Sequence, residues 1–204
     1  MVAIPKAPTH AVQRIQQVQA ITIASMTIEA AVSLFSAWRA RSPALLAFGG
    51  DSAIELMSAV VVLWRFRVNA AQEHAERRVA RIAGGLLFAL AACVVATSVT
   101  ALLGHSEPKP TLLGIAILIA AAACMPLLAR EKRRLSAVTG SAALRADAAE
   151  SALCGYLSMI ALVGLLVNAV WHVAWADPVA ALAIVPLVFW EGREALRGKA
   201  CGCC

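Results

Sequence analysis

Apolar positions fall in six blocks along the chain, at 18–38, 44–64, 82–103, 111–129, 143–171 and 178–195, separated by short polar or basic stretches. A helix needs about 20 apolar residues to cross a bilayer, and these blocks have that length. Their length and their Leu, Ala and Val content predict membrane helices rather than barrel strands. The predicted fold is therefore an all-α membrane protein, a six-helix transmembrane bundle. It has an N-terminal segment at 1–17, the bundle at 18–197 and a Cys-rich tail at 198–204. The opening MVAIPKAPTHAVQRIQQVQ is polar and has no apolar core, so no cleavable signal peptide is expected.

Composition narrows this further. Hydrophobic residues make up 61% of the 204 and only 15% are charged, with a mean hydropathy of +0.77. A soluble domain of this length cannot hide so much apolar side chain. Scarce aromatics and abundant Ala predict helices that pack closely.

The basic residues are unevenly placed. Fifteen of the 18 Lys and Arg fall on one predicted side: the N-terminal segment, the second-to-third connection with Arg77 and Arg78, the fourth-to-fifth connection with Arg130, Lys132, Arg133 and Arg134, and the tail. Only Arg39, Arg41 and Lys109 fall opposite. The positive-inside rule then places both termini in the cytoplasm. The net charge of +6 reads as topology and contact with the lipid bilayer, not nucleic-acid binding. Arg outnumbers Lys, and with the Ala richness this suggests a bacterial inner (plasma) membrane.

Against that background the acids matter. In FGGDSAIELMSAVVVLWRF, Asp51 and Glu55 share one helix face at i,i+4 spacing. At ~1.5 Å per residue Asp51 lies roughly 18 Å and Glu55 roughly 12 Å above the cytoplasmic edge. On the ascending fifth helix, Glu150 comes at roughly 10 Å and Cys154 at roughly 16 Å. Four potential metal ligands thus converge near mid-membrane: Asp51, Glu55, Glu150 and Cys154. Charge there costs at least ~2.5–3.5 kcal/mol, which a cation, a proton or a partner must offset. With no Lys or Arg expected in the middle of a span, internal ion pairs are expected to be unavailable, which leaves protons or a metal. Carboxylates with a thiolate suit Zn²⁺ or Cd²⁺ and disfavour Mg²⁺ and Ca²⁺. Such a group loads metal by releasing protons, the basis of proton–metal antiport.

SPALLAFGGDSAIELMSAVVVL resembles the second helix of the cation diffusion facilitator family, with its [H/D]-x-x-x-D pattern met by Asp51 and Glu55. ALRADAAESALCGYLSM resembles the fifth-helix A-D-x-x-H-x-x-x-D, with Glu150 on the His position and Cys154 on the last Asp position. WADPVAALAI and WEGREAL resemble the ends of the sixth helix, and the likeness covers about 18–197. Phe48 stands where the family often has Asp. The resemblance implies a proton-coupled exporter of a divalent transition metal, zinc first, with Cd, Fe, Co or Mn as alternatives. The family's cytoplasmic C-terminal domain, which helps dimerisation, has no counterpart expected in these 204 residues. A homodimer is therefore left open.

Other groups carry two readings each. Cys154 by itself is a ligand or a small packing residue. Asp147 is an entry ligand or a first-turn carboxylate favoured by the helix dipole. Glu29, about 16 Å up the first helix, is a proton carrier, a partner of the metal ligands or a neutral packing group. Cys201, Cys203 and Cys204 form a soft-metal relay or an idle tail. Cys93 and Cys124 read as packing residues. His105, Glu107, His172 and Asp177 are placed outside, to receive metal or merely to be solvated. No nucleophile–base pair or phosphate loop points to an enzyme, and no cofactor is expected beyond the transported ion. The alternative function is a membrane protein that binds metal without transporting it and regulates or assembles with a partner.

Overall fold

The computed structural model describes residues 9–68, 73–105, 107–140 and 142–197. Six helices follow one another: α1 (Thr9–Ala40), α2 (Pro43–Val68), α3 (Glu73–Leu102), α4 (Leu112–Thr139), α5 (Ala142–Trp171) and α6 (Ala176–Arg197), with no strand among the described residues. Four contain stretches long and apolar enough to cross a membrane: Gln13–Ala40, Arg81–Leu102, Leu112–Thr139 and Asp147–Trp171. At 26 and 22 residues, α2 and α6 also have spanning length, with the apolar run of α6 interrupted by Asp177, Glu191 and Arg193.

The bundle is apolar outside and keeps its buried polar groups on inward seams. On α1, Ile21, Ile28 and Phe35 recur every seven residues and are each more than half exposed. Thr22, Glu29, Ser33 and Ser36 turn inward on the opposite face. That inversion suits a lipid surround, which rewards exposed aliphatics and leaves polar groups to find partners inside. Trp38, Trp171 and Trp175 are exposed at the same end of the bundle, where a membrane interface accepts an amphipathic ring. With these observations the chain is a multi-pass membrane protein.

Neighbouring helices pair as α1 with α2, α4 with α5 and α3 with α6, while α2 also touches α3, α5 and α6. Small residues set the closest approaches. A β-carbon on Gly164 of α5 would come 2.4 Å from the Ala180 methyl of α6. One on Gly84 of α3 would come 2.8 Å from the Gly192 carbonyl of α6. Phe88 and Phe189 then meet edge to face with centroids 4.8 Å apart.

The helix cores fall where hydropathy predicts, but the ends on the Arg-rich side run longer. α4 continues ten residues past its predicted end at 129, through Arg130–Arg134, to a left-handed Gly140 at φ 65°. The basic run that reads as a connection is helical because its residues are good helix formers and its inward positions pack. Leu135 joins Ile15, Val18 and Leu144 in a small core of its own. The same cluster explains why α1 begins at Thr9, within the segment expected to precede the bundle.

At the Trp-bearing end the N-terminus of α2 is held by α6. Ser42 Oγ accepts from Leu45 N at 3.1 Å and donates to Asp177, whose other oxygen accepts from Ala44 N at 3.1 Å. Asp177 is thus a buried cap on α2, not the solvated loop acid expected, with both carboxylate oxygens engaged there.

Candidate metal centre

α2 carries Asp51 and Glu55 one turn apart, and both face inward at 4% and 7% exposure. α5 brings Cys154, fully buried, to the same level. One ligand atom from each of the three lies within 4.8 Å of the others. The spacing follows from helix geometry: i,i+4 on α2 sets the carboxylates on one face, and Ser151, Cys154 and Ser158 form the matching inward seam of α5. Two carboxylates and a thiol at these separations make a donor set for a small divalent cation.

A third helix contributes as well. Glu29 of α1 is buried at 4%, and the Cys154 thiol lies 4.0 Å from its Oε2. Ser52 Oγ stands 3.9 Å from the same sulfur. Glu150, expected among the four converging groups, is only half-buried and lies outside the 4.8 Å cluster. Its charge still bears on Asp51 and Glu55, which it repels. A carboxylate outside the α2 pair thus reaches the thiol from α1, while Glu150 sits at the edge of the α5 seam that carries Ser151 and Cys154.

The surroundings differ on the two sides. Toward the Trp-bearing end, Phe48 and Leu157 are fully buried in the main apolar core that also holds Cys154. Toward the Arg-rich end the lining is polar. Ser151 Oγ donates to Glu55 Oε1 at 3.3 Å and accepts from Lys132 Nζ at 2.7 Å. Lys132 Nζ also pairs with Asp147 Oδ1 at 3.0 Å, and both side chains are essentially inaccessible, at 0% and 1%. Gln19 of α1 donates to the other Asp147 oxygen.

This network overturns two expectations. Lys132 is not a loop charge, and an internal ion pair exists next to the acids. Asp147 is not the first-turn carboxylate expected, since it lies past the first turn of α5 and is held by Lys132 and Gln19. The signal for Lys132 was in the sequence. Leu118, Ala121, Met125, Lys132 and Leu135 follow the inward stripe of α4 at helical spacing. Hydropathy alone ends the span before reaching it.

The remaining candidates are dispersed. Cys93 and Cys124 are exposed on the bundle's outer surface, so neither packs inside as expected. His105, Glu107 and His172 are exposed in the connections at the Trp-bearing end. Cys201, Cys203 and Cys204 lie outside the described residues.

Comparison with known proteins agrees in kind with this arrangement. A family model described as the cation efflux transmembrane domain matches residues 20–199. A Synechocystis sp. protein described as an uncharacterized transporter is 30% identical over 165 residues, or 76% of this chain. The chain spans about half the length, 53%, of that curated relative.

Proposed function

The chain belongs to the cation efflux family, and from that premise we propose that it carries a divalent transition-metal cation through the Asp51–Glu55–Cys154 centre, out of the cytoplasm and in exchange for protons. The observation that carries this reading is the burial of two carboxylates and a thiol within 4.8 Å of one another inside a bundle of apolar helices. Uncompensated charge in such a place is costly, so the group calls for a cation or protons.

Zinc comes first among the metals because it accepts oxygen and sulfur donors together in tetrahedral sites. Cadmium fits the thiolate as well, whereas hard ions prefer all-oxygen shells. Exchange with protons follows from the donor chemistry. Metal binds deprotonated ligands, so loading releases protons and emptying takes them up. We take the Arg-rich end as cytoplasmic by the positive-inside rule, so that protons entering down their gradient drive the metal out. Glu29 serves as a partner of the ligands that reaches the thiol from α1.

Purified protein in vesicles loaded with a zinc-sensitive dye tests this reading. Zinc flux that grows with, and dissipates, an imposed pH gradient is expected. Stoichiometric zinc binding without flux would instead make the protein a metal-binding regulator.

A further inference from the structure

Lys132 is a buried basic group beside the centre that metal binding does not use. It is fully buried, carries a positive charge beside a proposed cation site, and sits two hydrogen bonds from a ligand. Its ammonium donates to Ser151, which donates to Glu55, and it pairs with Asp147 on its other side. Across this short path Lys132 attracts Glu55, while Asp51, Glu150 and Asp147 repel it. Asp147 is itself fixed by Gln19 from α1. Three helices therefore hold a cation at the edge of the centre, aimed at it but restrained.

We propose that Lys132 is a tethered competitor of the metal, which Asp147 holds back from Glu55. When the centre is loaded, Lys132 stays with Asp147. When the ion leaves, the lysine leans across Ser151 toward Glu55 and compensates the carboxylate charge that the metal has vacated. A charge carried by the protein thus speeds release by lowering the free energy of the emptied centre. The long, flexible lysine stem allows the required shift without moving a helix. Lys132 acts through Glu55 and is a positioning residue, not a ligand. The inference rests on the reading of Asp51, Glu55 and Cys154 as the metal centre.

Zinc titration calorimetry on the purified chain tests it, with zinc flux in vesicles measured alongside. Asp147→Asn removes the restraint, so Lys132 should pair with Glu55 and weaken zinc binding by at least about tenfold, as expected for a full charge acting at close range in a protein interior. Adding Lys132→Met to Asp147→Asn removes the competitor together with its former partner. Affinity should return to within about threefold of wild type, the sign of a coupled pair in a double-mutant cycle. In flux, Lys132→Met alone should lower KM and kcat together, because zinc is held more tightly and released more slowly. Because that single variant strands a buried Asp147 and can fail to fold, the double variant decides.

Wild-type affinity in Asp147→Asn would overturn the proposal. So would a loss that Lys132→Met fails to rescue, which would make Asp147 a metal-entry ligand or the pair a mere scaffold. Asp51→Ala separates this failure from that of the centre. If wild type binds zinc no better than Asp51→Ala, the centre itself is wrong and the role of Lys132 falls with it. If Asp51→Ala loses binding while Asp147→Asn keeps it, the role of Lys132 alone is refuted.

Discussion

If the proposed centre binds the metal, Cys154 decides which metals it prefers. Its sulfur is fully buried and lies near the Glu29 carboxylate and the Ser52 hydroxyl, beside Asp51 and Glu55. Replacing it with Asp gives an all-carboxylate set and should move preference from Cd²⁺ toward Mn²⁺ or Fe²⁺, since thiolate preference follows metal softness. Cys154→Ser keeps the size and removes the strong donor, so Zn²⁺ and Cd²⁺ affinity should fall together, by about tenfold or more on the scale of disturbed metal sites. Calorimetry reads both variants, and unchanged Cd²⁺ affinity in each would return Cys154 to simple packing. The legibility of single residues followed their contrast with their surroundings. Asp51 and Glu55 stood out because carboxylates are expensive in an apolar run. Lys132 did not, because it lies in a basic run whose other members serve topology, and hydropathy averages over all of them. Glu150 is half-buried and apart from the three-residue cluster for a related reason: a rise along the helix axis fixes depth but not the angle around the axis.

The helices themselves were legible where lipid and packing ask for the same residues. Along the middle of each span, apolar length alone marked the element. The ends were harder because polar residues continue a helix whenever an inward stripe persists, as Ile15 and Val18 do for α1 and Leu135 does for α4. Long-range caps are equally invisible in a local window. Asp177 lies 133 residues from the α2 amide it accepts from, Ala44 N, and it also accepts from Ser42. Asp177→Ala should lower stability by about 1–3 kcal/mol, the cost of leaving buried donors without their acceptor. Asp177→Asn, which keeps one carbonyl acceptor, should lose less. Thermal unfolding in detergent measures both, and an Ala variant as stable as wild type would remove the cap from the account. Close contact sets a second constraint. Gly164→Val should disrupt the α5–α6 seam, because even a methyl there would come 2.4 Å from Ala180. The same unfolding measurement should show a drop of at least about 1–3 kcal/mol, typical of overpacking.

The whole molecule is organised by an inverted surface, with aliphatics outside, polar seams inside and charge gathered at one end. Composition made the membrane setting legible, but not how the seams meet, since that depends on which helices pair. If the Arg-rich end is cytoplasmic, the connection holding Lys109 faces out, and its backbone is already tied to the bundle by Lys109 N donating to Ala40 O at 2.8 Å. A cysteine introduced as Lys109→Cys should react with an impermeant thiol reagent in intact cells, and labelling only after lysis would invert the orientation. The central claim is that the buried α2–α5 cluster is where the metal binds. Zinc-edge X-ray absorption on protein with Cys201, Cys203 and Cys204 changed to Ser tests it directly. One sulfur at about 2.3 Å with oxygen neighbours at about 2.0–2.2 Å is expected, and Cys154→Ser should abolish the sulfur shell. A zinc shell that lacks sulfur in the first protein, or keeps it in the second, would contradict the assignment.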